Sequence, residues 1–183
     1  MKRPASKSAM VMGMAPGLQF AALPWRQGEE LEILLVTSRE SRRWVIPKGW
    51  PIKGHKPHLS AAREALEEAG VTGRVTKKPR GSYGYVKRLK NGAPLECRVQ
   101  VFPLKVERQR KRWPEQHQRS FHWFAASEAA AAVEEPELKK LIDDFAKSLG
   151  ALGRKTASPD PGAAEPAPAQ TEADLKAQAL GRR

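Results

Sequence analysis

The sequence predicts a mixed α/β domain of the α+β kind, with antiparallel strand pairs rather than a doubly wound parallel sheet. Three observations predict it. Short apolar runs rich in branched residues are bounded by Gly, Pro and charge, as buried strands are. Two segments, ending near Ala69 and Leu149, carry apolar residues at helical spacing. An Asn91-Gly92 pair, the dipeptide that favours a tight hairpin turn, separates two further strand-like stretches. Strands and helices therefore alternate irregularly, and no internal repeat organises them.

In chain order, 18–25 (LQFAALPW) and 31–38 (LEILLVTS) read as strands, followed by a short one within 44–48. Pro47, Gly49, Pro51, Gly54 and Pro57 then crowd into eleven residues, which excludes a helix interior or a sheet ladder and predicts a loop. From Pro57 or Ser60 to Ala69 the pattern is helical, with proline tolerated in the first turn and Gly70 placed to end it. Leu59, Ala62, Leu66 and Ala69 form its expected core stripe. Strand-like stretches flank Asn91-Gly92, FHWF (121–124) is a last short strand, and Ser127 is placed to cap a small Ala-rich helix. The final helix starts near Pro136 and carries Leu138, Leu141, Ile142, Phe145 and Leu149 on one side.

Composition bounds what such a fold can do. The 183 residues suit one domain with tails: a basic N-terminal tail over 1–16, whose weak apolar patch is broken by Gly13 and Pro16, a domain over 17–149, and a disordered Pro/Ala-rich tail over 150–183. Cys97 is the only cysteine, which excludes an internal disulfide and two-Cys zinc sites and fits a reducing, cytoplasmic setting. No run reaches the roughly 18 apolar residues that cross a bilayer, so no membrane span is expected. The net charge is +13, of which the segment between the two tails keeps +9. A cationic fold attracts polyanions, meaning phosphates, nucleic acid or an anionic surface.

Against that charge, Glu64, Glu67 and Glu68 stand together. At i, i+3 and i+4 they fall on one face of the predicted helix, where like charges repel by a few tenths of a kcal/mol per pair. They read either as a solvated acidic face neutralised by Arg63 and nearby lysines, or as a site for a hard divalent cation such as Mg²⁺, which takes a few carboxylates and leaves room for water and phosphate.

The longer pattern resembles a known one. Gly49, five residues, His55, seven residues, then Arg63-Glu64-Ala65-Leu66-Glu67-Glu68-Ala69-Gly70-Val71 follows the Nudix box, G-x5-E-x7-R-E-U-x-E-E-x-G-U, at every specified position except His55, with Ala65 as its small apolar member. The flanks LLVTSRESRRWVIPKGW, WPE (113–115) and FHWF resemble the diphosphoinositol polyphosphate phosphohydrolase branch, over about residues 17–148. The resemblance implies an α/β/α sandwich with a mixed sheet and the box helix packed on it. It implies hydrolysis of a phosphoanhydride bond in a small polyanionic substrate, either a dinucleoside polyphosphate or a diphosphoinositol polyphosphate.

By the same resemblance, Glu64 and Glu68 hold Mg²⁺ (or Mn²⁺) with the main-chain carbonyl of Lys48, Glu67 acts as general base, and Arg63 supports it. Ser38 and Arg39, and more loosely Arg88 and Arg119, match positions that contact substrate phosphates. Two departures stand out. His55 replaces the box glutamate that normally holds the arginine, leaving Arg63 to pair with Glu67 or Glu64. Gln19 sits where the branch has a cation. Trp44, Trp50, Trp113 and Trp123 could stack on a base, though at least two are expected to be packing residues. The alternatives are pyrophosphate removal from RNA 5′ ends, which a basic core would favour, and a non-catalytic module binding RNA or a phosphorylated ligand.

Overall fold

The computed structural model describes residues 17–89 and 91–156, the last six as helical backbone only. The expected N-terminal tail over 1–16 and residues 157–183 lie outside the described residues, while 150–156, expected in the disordered C-terminal tail, are instead helical. Elements in order are β1 (Gly17–Gln27), β2 (Leu31–Thr37), β3 (Trp44–Val45), β4 (Lys48–Gly49), α1 (Pro57–Ala69), β5 (Val71–Val75), β6 (Gly81–Arg88), β7 (Pro94–Gln109), β8 (Phe121–Ala125), α2 (Ala126–Ala132) and α3 (Pro136–Thr156).

One mixed sheet runs β3-β2-β1-β7-β5, with β4 on β1, β6 on β7 and β8 on β2. β1 lies at its centre, antiparallel to β2 and parallel to β7, with Phe20 opposite Gln100. The long β7 serves both β6, along 94–101, and β5, along 104–109. Side chains alternate between the faces of such strands, so each strand supplies two cores. Ala21, Leu23, Ile33, Leu35, Val99 and Val101 pack with Leu138, Ile142 and Phe145 of α3 and Ala129 of α2. Phe20, Ala22, Leu34, Val36, Phe102 and Leu104 pack on Ala61, Ala65 and Ala69 of α1. Burial on both faces explains why β1 and β2 read as nearly unbroken apolar runs. The arrangement is the α/β/α sandwich expected.

Several local expectations need correction. The core stripe of α1 is Ala61, Ala65 and Ala69, and Leu59 is 44% exposed. The sheet-facing positions carry alanine, small enough for helix and sheet to approach closely, so judging by apolar size selects a face about one residue away. Ser127 does not cap α2, which has Ala125 at its N-cap position with no side-chain cap bond. Lys48 and Gly49, with Gly49 expected in loop, form the two-residue β4, pairing with Ala21 and Phe20. β5 follows α1 immediately, through Gly70.

That glycine has a specific reason. Gly70 ends α1 at φ 69°, in the left-handed region, and its N–H donates to the Leu66 carbonyl at 3.1 Å. A Cβ there would also lie 2.6 Å from the Trp113 ring. Gly70→Ala is expected to cost about 1–3 kcal/mol, from backbone strain and overpacking together. Urea unfolding measures it, and a loss below about 0.5 kcal/mol would contradict this account.

Candidate active site

The outward face of α1 closes one side of a cleft of about 1050 Å³. Six other segments complete it: β1 at Gln19, the chain after β2, residues 48–52, the end of β6, the loop before β8 and the α2–α3 connection. Ser38, Arg39, Lys48, Glu64, Glu67, Glu68, Arg88 and Arg119 all line it. Arg63 does not, but it reaches the cleft indirectly, because its guanidinium pairs with the Glu67 carboxylate one turn on. The partner left open by His55 is therefore Glu67.

Glu68 is the most enclosed of the three glutamates. It is 6% exposed, pairs with Arg119, and accepts the Lys48 main-chain N–H on Oε2 at 3.2 Å. Arg119 divides its other donors between Glu115 Oε2 at 2.6 Å and the Thr37 carbonyl at 3.0 Å. This ties the end of β2, the box helix and the loop before β8 into one network. Arg119 thus differs from the substrate-contacting role expected of it, since its side chain is buried and each of its three nitrogens bonds a protein acceptor. Gly49 completes the packing around Glu64, because a Cβ at position 49 would collide with the Glu64 carboxylate. The Gly of the box is therefore room for a glutamate.

Electrostatics follow from this burial. Burial pushes the Glu68 carboxyl up to about 7, against the pull of Arg119 and Lys48, and burial with Glu67 and Glu115 pushes Glu64 up to about 6. The Lys48 amine is brought down to about 8 by burial, opposed by Glu68 and Glu135. Even with Arg119 in place, these carboxyls lack enough positive charge to be comfortable as anions. Among the described residues no three His, Cys, Asp or Glu side chains converge as a cage. Buried hard oxygens supplied by a pair of carboxylates suit Mg²⁺ or Mn²⁺, which leave much of their shell to water and phosphate.

The remaining predicted residues occupy the rim. Ser38 Oγ lies 2.7 Å from Ser41 Oγ, and Arg39 stands 3.8 Å from Glu115. His55 is exposed and outside the cleft, its Nδ1 3.4 Å from the Lys53 carbonyl. Of the tryptophans, Trp44 packs edge-on to Phe124, Trp113 packs against Phe121, and Trp123 packs on the α1 core; Trp50, 42% exposed, lines the cleft.

Sequence reasoning missed the opposite wall. Arg43 binds Glu134 at 3.1 Å and Glu135 at 2.7 Å, and Tyr85 donates to the Gln19 amide oxygen at 2.7 Å. The second Glu135 oxygen is buried without a partner among the described residues. Arg43 and Glu135 are 92 residues apart, and nothing local marks either. Only the oddity of Gln19 was visible.

Comparison with known proteins bears on this geometry directly. Residues 16–145 match the family model of the NUDIX domain. The chain is 31% identical over 132 residues to Nudix hydrolase 18, mitochondrial, of Arabidopsis thaliana, covering 72% of this chain and 73% of that protein. It is 26% identical over 151 residues to diphosphoinositol polyphosphate phosphohydrolase 3-alpha of Mus musculus, covering 80% and 88%. A C. elegans Ap4A hydrolase binary complex shares the fold, with a TM-score of 0.56 and 21% identity over 73% of this chain and 98% of that one. The altered box thus sits in an intact family framework, and the chain belongs to the Nudix hydrolases, enzymes acting on pyrophosphate bonds.

Proposed function

We propose that this chain is a Mg²⁺-dependent phosphohydrolase that cleaves a phosphoanhydride bond in a polyphosphorylated substrate, with dinucleoside polyphosphates ahead of diphosphoinositol polyphosphates. The observation that carries this reading is the gathering of Glu64, Glu67 and Glu68 in a cleft that also presents Arg39, Lys48 and Arg88. Glu64, Glu68 and the Lys48 carbonyl would hold the metal, with Mn²⁺ as a substitute. When bound, the ion supplies charge neutralisation on phosphate oxygens and an acidified water.

The chain's own groups do the rest. Glu67, held by the Arg63 guanidinium, accepts the proton of the attacking water. Ser38, Arg39 and Arg88 receive substrate phosphates, the arginines with the forked geometry that suits phosphate oxygens. Arg119 keeps Glu68 oriented. Gln19, Glu134 and Glu135 also line the cleft, and this mixed lining favours a substrate anionic along one stretch, such as a nucleotide chain, over one anionic on all sides. Location follows the same reasoning. A single buried cysteine supports the cytoplasm, and organellar residence of a tagged full chain would overturn that.

Diadenosine penta- and hexaphosphate and diphosphoinositol polyphosphates, assayed in parallel with Mg²⁺ or Mn²⁺, test the reading. No turnover of any of them would sink it. His55→Glu is a subtler probe. Because His55 is exposed and outside the cleft, restoring the usual glutamate is expected to maintain activity or raise it a few-fold by giving Arg63 a second partner. A tenfold fall in kcat/KM would show instead that His55 has its own role.

A further inference from the structure

A second concavity lies outside the cleft, and its lining is chemically one-sided. Lys111, Arg112, Trp113, Gln116 and His117 enclose about 540 Å³, with no carboxylate among them. The Trp113 indole N–H is buried there without an acceptor among the described residues. Just upstream on the same strand end, Arg108 and Arg110 are exposed, as are Lys111 and Arg112, and none of the four makes an ion pair among the described residues. By contrast, Arg74 close by is matched to Glu107 at 2.7 Å.

A local structural duty accounts for only part of this charge. The Arg110 N–H donates to the Gly70 carbonyl at 2.8 Å, so the stretch abuts the C-terminal end of α1, whose last turn has no basic residue. One cation satisfies a helix end, and four stand here. The cleft is immediately adjacent, since Glu115 lines the cleft and Gln116 lines the second pocket.

We infer that the 108–117 segment is a phosphate-backbone site for single-stranded nucleic acid, beside the catalytic cleft and separate from its small-substrate site. The spread of the four cations distinguishes a run of phosphodiesters from one free phosphate, which two or three donors would satisfy. Binding here depends on counterion release, and for single strands the logarithm of affinity falls with log salt by about 0.7 per phosphate neutralised.

The test uses the full chain and a fluorescein-labelled twelve-nucleotide oligouridylate, with anisotropy followed across salt concentrations. Lys111→Gln/Arg112→Gln is expected to weaken binding at low salt by about tenfold and to flatten the salt slope by about 1.4. Arg108→Gln/Arg110→Gln should act in the same direction. The control, Lys77→Gln/Lys78→Gln, removes equal charge from another exposed turn and should stay within about twofold of wild type. Thermal melting verifies folding independently of catalysis, so a failed hydrolase reading would not be mistaken for a failed site. Equal losses in the 111/112 and 77/78 pairs would reduce the effect to net charge and overturn the site, as would wild-type binding by both the 108/110 and the 111/112 variants. Full displacement of the oligonucleotide by millimolar inorganic phosphate at constant ionic strength would also overturn it, in favour of a free-anion pocket.

Discussion

Glu67→Gln and Glu68→Gln are each expected to lower kcat by about 10²–10⁴, the range of a lost general base or of a disrupted catalytic metal. The two losses should differ in kind. Glu67 is only partly buried and pairs with Arg63, so its amide variant should fold normally, bind metal with near wild-type affinity and remain slow at saturating Mg²⁺. Glu68 is buried in the Arg119 and Lys48 network, and its variant should need about tenfold or more metal for whatever activity survives. Mg²⁺ titration of initial rates separates the two, supported by Mn²⁺ binding measured by electron paramagnetic resonance. A Glu67→Gln enzyme retaining more than about a tenth of wild-type kcat would remove Glu67 from the proton-transfer role. Equal metal dependence in both variants would remove Glu68 from the metal site.

The sequence makes some of this site visible and hides the rest, for physical reasons. Helical spacing alone puts Glu64, Glu67 and Glu68 on one face, and Arg63 one turn from Glu67, because those relations span only four residues. The same arithmetic misjudges the inward face, since Ala61 and Ala65 are chosen for close approach to the sheet and look weaker as core residues than Leu59 or Leu66. β1, β2 and the hairpin around Asn91-Gly92 are legible because burial and turn chemistry mark them locally. β4 is not, because it owes its existence to pairing with Phe20 and Ala21. The buried partnership of Glu68 with Arg119 spans 51 residues, and that of Arg43 with Glu135 spans 92. Such pairs exist only once the sheet has brought their segments together, so an arginine read as a free phosphate ligand turns out to hold a carboxylate.

That partnership supports the second large effect. Arg119→Met preserves much of the side-chain volume but leaves Glu68, 6% exposed, without its guanidinium, and in the absence of metal it should cost about 3–5 kcal/mol of stability near pH 8. The cost should depend on pH in a defined direction. Burial already raises Glu68 to about 7 with Arg119 present, and removing Arg119 removes a cation that opposes the rise. A carboxyl raised above its ordinary value of 4.5 stabilises the fold fully below that value, where both states are protonated. That contribution is lost as pH climbs through the folded value, because the unfolded chain has already released its proton. The variant should therefore be least impaired near pH 5 and most impaired near pH 8. Metal should act in the opposite sense to the lesion. Arg119 and a divalent cation serve the same carboxylate, so Mg²⁺ should stabilise Arg119→Met more than wild type, each by RT ln(1 + [L]/Kd) with its own Kd, the excess levelling off once [L] passes both. Arg119→Met/Glu68→Gln should recover a large part of the stability while abolishing the metal response. Urea unfolding at pH 5, 6.5 and 8, with and without Mg²⁺, measures all three effects. A lesion independent of pH and metal would mean that Arg119 is a packing residue and that Glu68 carries no buried charge for a cation to neutralise.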